Sequence, residues 1–173
     1  FGADGMLFVS TGDGYENAPY PDKTRTVALD SLAGKLLRVH PLTGDAPADN
    51  PFFDAAHPRS NRSRVYDLGL RNPFRMTISP FDGEPVIGDV GWDTWEEIDT
   101  GRGKNFGWPC YEGGSGTSII QPGFQNLDLP SCVALYETPD AVTAPLFAYE
   151  HEGQGASVIL GDFEAEYLEL PEE

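Results

Sequence analysis

The 173-residue chain carries 11 Lys or Arg against 28 Asp or Glu, a formal charge of −17. That balance excludes nucleic acid and anionic membrane surfaces as partners, because both demand a positive field. The 39% hydrophobic and 12% aromatic content excludes a disordered acidic tail, and no run approaches the ~18 apolar residues of a membrane span.

Twenty Gly and 15 Pro predict many turns and short elements. The apolar runs are four to six residues long and bounded by Gly, Pro, Asp or Asn, which is the signature of strands. In chain order they are Met6–Ser10 after the turn Asp4-Gly5, Gly34–His40 closed by Pro41, and Arg75–Ser79 before Pro80-Phe-Asp-Gly83. Pro85–Gly88, Trp95–Asp99 and Asn105–Trp108 follow. The four runs from Arg75 to about Glu112 predict one compact antiparallel unit. No stretch keeps apolar residues at helical spacing for three turns. The nearest to a helix is the acidic end after Gly161.

The segment Asp4-Gly5 to Gly12-Asp13 echoes Asp82-Gly83 to Gly88-Asp89: a turn, an apolar strand, then Gly-Asp. Repeated units of this kind suggest blades of a β-propeller, with a β-sandwich as the other all-β solution. Polar, glycine-rich loops at Gly12–Gly14, Arg71–Pro73 and Gly88–Gly91 stand at strand ends, where a propeller gathers its functional loops.

Several chemistries are absent. There is no G-x-S-x-G elbow, no phosphate-binding P-loop and no G-x-G-x-x-G. His40, His57 and His151 share no metal-binding spacing; the first two read as strand and loop residues, and His151, on a strand toward the next blade, as a satisfied structural histidine with a place lining the top face as the alternative. Five carboxylates lie between Asp89 and Asp99. They form either a solvated acidic edge or a site for a hard cation such as calcium, with glycine letting backbone carbonyls approach. Arg71 and Asn72 pair a planar cation with an amide, suited to an anionic ligand or to neutralising that acidic loop. Cys110 and Cys132 are either free thiols or a disulfide. The acidic, turn-rich composition favours the bond and, with it, an exported protein.

Taken in order, Leu68–Phe74 (LGLRNPF), Gly88–Gly91 (GDVG), Trp95–Ile98 (WEEI) and Asn105–Pro109 (NFGWP) resemble the glucose/sorbosone dehydrogenase family, the soluble quinoprotein sugar dehydrogenases. The resemblance runs from the first strand to about Pro109, and Pro145–Tyr149 with Gly155–Ser157 looks like the approach to a further blade. It implies an all-β fold, a partial propeller of two to three four-stranded blades from a six-bladed parent. Residues 1–160 would be propeller and 161–173 an acidic tail or cap. The Cys110 segment with the later Cys132 is similar to exported members, which implies a disulfide and an extracellular or periplasmic protein.

The resemblance also implies the cofactors pyrroloquinoline quinone (PQQ) and calcium. Arg71 and Asn72 would contact the quinone. The carbonyls of Gly91 and Trp92 would ligate the calcium that holds it, and Glu97 with the carbonyl of Phe106 would hold a second, structural calcium. The implied reaction oxidises a sugar hydroxyl and passes reducing equivalents to the quinone and then to an electron acceptor. The family's base, a histidine, precedes the first strand, so the chain is expected to carry no catalytic base and to be inactive alone, a piece of a longer protein. Open blade edges predict self-association. A non-catalytic, calcium-stabilised propeller that binds protein or carbohydrate is the alternative.

Overall fold

A computed structural model of the chain describes residues 1–14, 20–114, 116–151 and 156–163. Two antiparallel sheets dominate the described residues. The first is β1 (Leu7–Thr11), β2 (Lys35–Val39) and β3 (Val65–Leu68), in that order. The second is β4 (Pro73–Ile78), β5 (Pro85–Asp89), β6 (Trp95–Thr100) and β7 (Phe147–Glu150), also in sequence order. Strands that follow one another and pair as neighbours build up-and-down units, as blades require.

The two echoing turns have the same backbone. Asp4 accepts the Met6 N–H and Asp82 accepts the Glu84 N–H, and the glycine between them lies at φ 78° in one and 77° in the other. Only a residue without Cβ enters that region at no steric cost. Each turn then feeds an apolar strand that pairs antiparallel with its neighbour.

The fourth strand of the second sheet differs from the expected one. Asn105–Trp108 does not join it. Residue 105 instead makes an isolated parallel bridge to Leu68, and Phe147–Glu150 pairs along β6 from Trp95↔Glu150 to Ile98↔Phe147. The reason is local. The Phe106 and Trp108 N–H groups donate to the Leu68 and Gly69 carbonyls, which commits this stretch to the first sheet. Thus Pro145–Tyr149 completes the blade rather than starting another. Gly155 of the Gly155–Ser157 segment lies outside the described residues.

Among the described residues, a 3-10 helix (Tyr20–Val27) and three α-helices also depart from the expected pattern: α1 (Asn61–Arg64), α2 (Pro122–Gln125) and α3 (Pro130–Glu137). Proline at the first turn of α2 and α3 starts each helix, since its missing N–H is unpaired there anyway. The acidic end from Glu164 lies outside the described residues.

Phe8, Leu36, Tyr66, Leu70, Ile87 and Phe106 form the core between the sheets, and Met76 and Ile78 pack on it. A second cluster gathers Trp108, Phe124 and Leu129 around the disulfide between Cys110 and Cys132. Lys35 is fully buried and donates to the carbonyls of Arg25, Thr26 and Ala33. Burial presses its ammonium down to about 7. Among the described residues, no helix is long and apolar enough to cross a membrane.

Candidate functional site

The strand ends around Asp89 converge on one turn. Asp89 closes β5 and is 2% exposed. Its two oxygens accept the backbone N–H groups of Arg71 and Asn72 at 2.8 and 2.6 Å. The Asn72 carbonyl in turn accepts the Val90 N–H. The two loops are thereby locked together, with the Asn72 side chain left exposed.

The Arg71 guanidinium folds back over this lock. Its Nη1 donates to the Val90 carbonyl at 2.8 Å and to the Gly91 carbonyl at 2.5 Å. It also stands 5.5 Å from the centre of the Trp108 ring, within cation–π range. Trp108 donates its indole N–H to Asp13, and the Asp13 N–H donates to the Arg71 carbonyl. Gly12, Asp13, Gly14, Arg71 and Asn72 line an open cleft of about 340 Å³. Its lining offers one cation, one exposed amide, two glycines and the Asp13 carboxylate, which accepts the Trp108 indole N–H; Arg71 and the exposed Asn72 amide are the groups suited to a flat anionic molecule.

Below this turn lies a set of buried acids. β5 and β6 pair Asp89 with Glu97 and Ile87 with Asp99. Strand alternation then puts Asp89, Glu97 and Asp99 on one face. One oxygen from each lies within 4.8 Å of the others, and all three residues are buried. Both Asp99 oxygens and the Asp67 Oδ2 have no hydrogen-bond partner. Burial lifts Asp89 to about 7 against the N–H groups of Arg71 and Asn72, which pull it down. Glu97 is raised to about 8, by burial and then by the charge of Asp89. Asp99 is pushed well above the usual carboxylate range by burial and then by Glu97. Asp67, from β3, reaches about 8 through burial. Such a set is stable only when protonated or when a cation supplies the missing charge. Carboxylate oxygens are the donors a hard divalent cation prefers, so the residues fit calcium.

Of the expected site residues, the structure brings Arg71, Asn72 and Gly91 to one turn, with Trp92 next along the chain. Trp92 donates its N–H to Glu112, and its ring meets those of Trp108 and Phe124 edge-on. Glu97 lies on the acidic face and accepts the Gly113 N–H. Phe106 stands on the neighbouring stretch with its ring in the core. Glu96, on the opposite face of β6, pairs with His151 at 2.6 Å and accepts the Val158 N–H, which gives His151 its structural place. Asp13, Asp67, Trp108 and Glu112 were missed as site residues. Asp13 carries a signal in the polar Gly12–Gly14 loop, Trp108 in the Asn105–Pro109 motif and Asp67 as an acid within the apolar run Val65–Leu68, whereas Glu112 carries none.

The family model described as Glucose / Sorbosone dehydrogenase matches residues 1–151. The HIPL2 protein of Arabidopsis thaliana is 31% identical over 94% of this chain and 24% of its own length. Aldose sugar dehydrogenase YliI of Escherichia coli strain K12 is 32% identical over 63% of this chain and 27% of its own. Among solved structures, the PQQ-bound aldose sugar dehydrogenase of Streptomyces coelicolor superposes with a TM-score of 0.60 at 26% identity. That superposition covers 87% of this chain and 34% of the other. The chain therefore spans about a quarter of the curated relatives it matches.

Proposed function

The chain belongs to the glucose/sorbosone dehydrogenase family, and from that membership we propose that the whole protein is a quinoprotein sugar dehydrogenase of the aldose or sorbosone type. The cofactor it would use is PQQ, which the matched Streptomyces coelicolor enzyme binds. The observation that carries the reading is the Asp89-locked turn, which presents Arg71 and Asn72 to a cleft floored by Gly12 and Gly14.

A bound quinone would supply the electron-accepting chemistry for oxidation of the sugar hydroxyl, with an external acceptor as the final destination of the reducing equivalents. This chain's residues would bind and orient. Arg71 supplies positive charge beside the cofactor's carboxylates, and the exposed Asn72 amide supplies a donor and an acceptor. The Gly91 and Trp92 carbonyls would ligate the calcium at the quinone. The Gly91 carbonyl also accepts a hydrogen bond from Arg71. Glu97 with the Phe106 carbonyl would hold the structural calcium, and the orphaned oxygens of Asp99 support a cation on that face. The roles proposed for these residues are binding and orientation, and no base is assigned among them.

The Cys110–Cys132 disulfide supports an extracellular or periplasmic protein. The outer strands β1 and β3 of the first sheet and β4 and β7 of the second would associate when the chain stands alone. Dye reduction driven by an added aldose, with the whole protein reconstituted in PQQ and calcium, tests the proposal. A folded whole protein with no sugar-dependent reduction under those conditions contradicts it and favours the binding-module alternative.

A further inference from the structure

We infer that Glu112 is a positioning residue that fixes the Gly91–Trp92 turn, acting from within the disulfide-closed segment between Cys110 and Cys132. The inference rests on the cofactor reading above for its consequence, but its geometry stands apart from it.

Glu112 is 3% exposed, and both of its oxygens face the turn. Oε1 accepts the Trp92 N–H. Oε2 accepts the Thr94 hydroxyl at 2.7 Å and the Gln121 amide at 2.6 Å. Gln121 reaches the same loop by a further bond to Asp93 at 3.1 Å, and its own N–H donates to the Cys110 carbonyl. One carboxylate and one amide thus hold residues 92, 93 and 94 in a single network.

The packing agrees. A Cβ at Gly91 would run into the Trp95 carbonyl and would stand 2.8 Å from Glu112 Oε1, so the turn is seated directly on this side chain. On the far side the Trp92 ring lies against Gly123 and Phe124. Glu112, Gln121, Gly123 and Phe124, which touch the turn from below, all belong to the segment that the disulfide closes, and Trp108 meets the Trp92 ring beside them. Arg71 takes the carbonyls of Val90 and Gly91 from above. The Trp92 N–H to Glu112 and the Gly91 carbonyl to Arg71 are adjacent groups of one turn. Loss of the first bond frees the orientation of the second. Groups that orient a ligand in this way commonly matter almost as much as the ligand itself.

Hydrogen exchange and quinone titration on the whole protein test this together. In Glu112→Ala the Trp92 amide should exchange at least about tenfold faster, while the amides of β1 and β2 keep wild-type rates. Quinone affinity in the presence of calcium should fall about tenfold. Glu112→Gln keeps the shape and one acceptor but sets an amide NH₂ against that of Gln121. It should show the same changes at smaller size, and it decides the matter if the alanine variant fails to fold. Unchanged Trp92 exchange in the variants overturns the inference, as does faster exchange with wild-type affinity. Faster exchange in the variants with no quinone binding by the wild type upholds the positioning by Glu112 and overturns the cofactor reading.

Discussion

Asp89 accepts the backbone N–H groups of both Arg71 and Asn72, so one buried carboxylate sets the two residues that face the cleft. Asp89→Ala leaves both N–H groups unpaired and should destabilise the protein by about 1–3 kcal/mol. Asp89→Asn retains one acceptor and should lose less. Urea denaturation of the two variants beside the wild type measures the difference. Equal midpoints for wild type and alanine variant would show that the lock contributes nothing.

The acidic face predicts a charge reversal. Burial lifts Asp67 and Glu97 to about 8 from ordinary values of 3.8 and 4.5, and Asp99 rises as well. The ion-free fold then holds protons that the unfolded chain has released. These groups therefore cost nothing below about pH 4 and destabilise increasingly as pH rises, the contributions of Asp67 and Glu97 levelling off above about pH 8. In chelator at pH 8, Asp99→Asn should melt higher than wild type, because it removes a buried carboxyl that the fold must keep protonated while the unfolded chain releases its proton. In calcium at pH 8 the order should invert, since the ion needs the charged ligand. At pH 5 the gain in chelator should shrink. The same order of melting in chelator and in calcium would rule out a cation on this face.

Calcium should stabilise by mass action. At a free concentration a hundredfold above its dissociation constant, an ion bound only by the folded state adds about 2.7 kcal/mol. A chelator titration followed by melting temperature checks this, and an unchanged melting temperature would contradict it.

The disulfide closes a separation of 22 residues. Replacing both cysteines by serine should cost about 3 kcal/mol on the chain-entropy account. Chemical denaturation of the double variant measures it. The loss should concentrate in the Trp108–Phe124–Leu129 cluster, seen as faster hydrogen exchange there than in β4 and β5.

His151 holds the fully buried Glu96. His151→Ala leaves a carboxylate oxygen without this partner, at a cost of about 1–3 kcal/mol. Quinone affinity should stay unchanged, because Glu96 points away from the acidic face. A large loss of affinity with wild-type stability would instead place His151 in the site.

Much of the architecture was legible because turn chemistry is local. Asp4-Gly5 and Asp82-Gly83 marked their turns correctly, and the runs they introduce are β1 and β5. What failed was non-local. Asn105–Trp108 reads as the fourth strand and Pro145–Tyr149 as the approach to a further blade, and only the bonds from Phe106 and Trp108 to the β3 end decide which joins β6. Helix α3 escaped notice because its eight residues are too few for a helical period. Arg71, Asn72, Gly91 and Glu97 could be singled out by residue type and order. The isolation of Asp67 and Asp99 could not be seen, since it depends on which strand faces which.

The central claim is that the Asp89-locked turn is a quinone floor. Direct titration of the whole protein with PQQ in calcium, for wild type and Arg71→Ala, tests it most directly. The account predicts saturable, calcium-dependent binding by the wild type and at least tenfold weaker binding by the variant, about 1.4 kcal/mol or more for a charge-assisted contact. A folded wild type that binds no quinone, or an Arg71→Ala variant that binds as tightly as wild type, would contradict it.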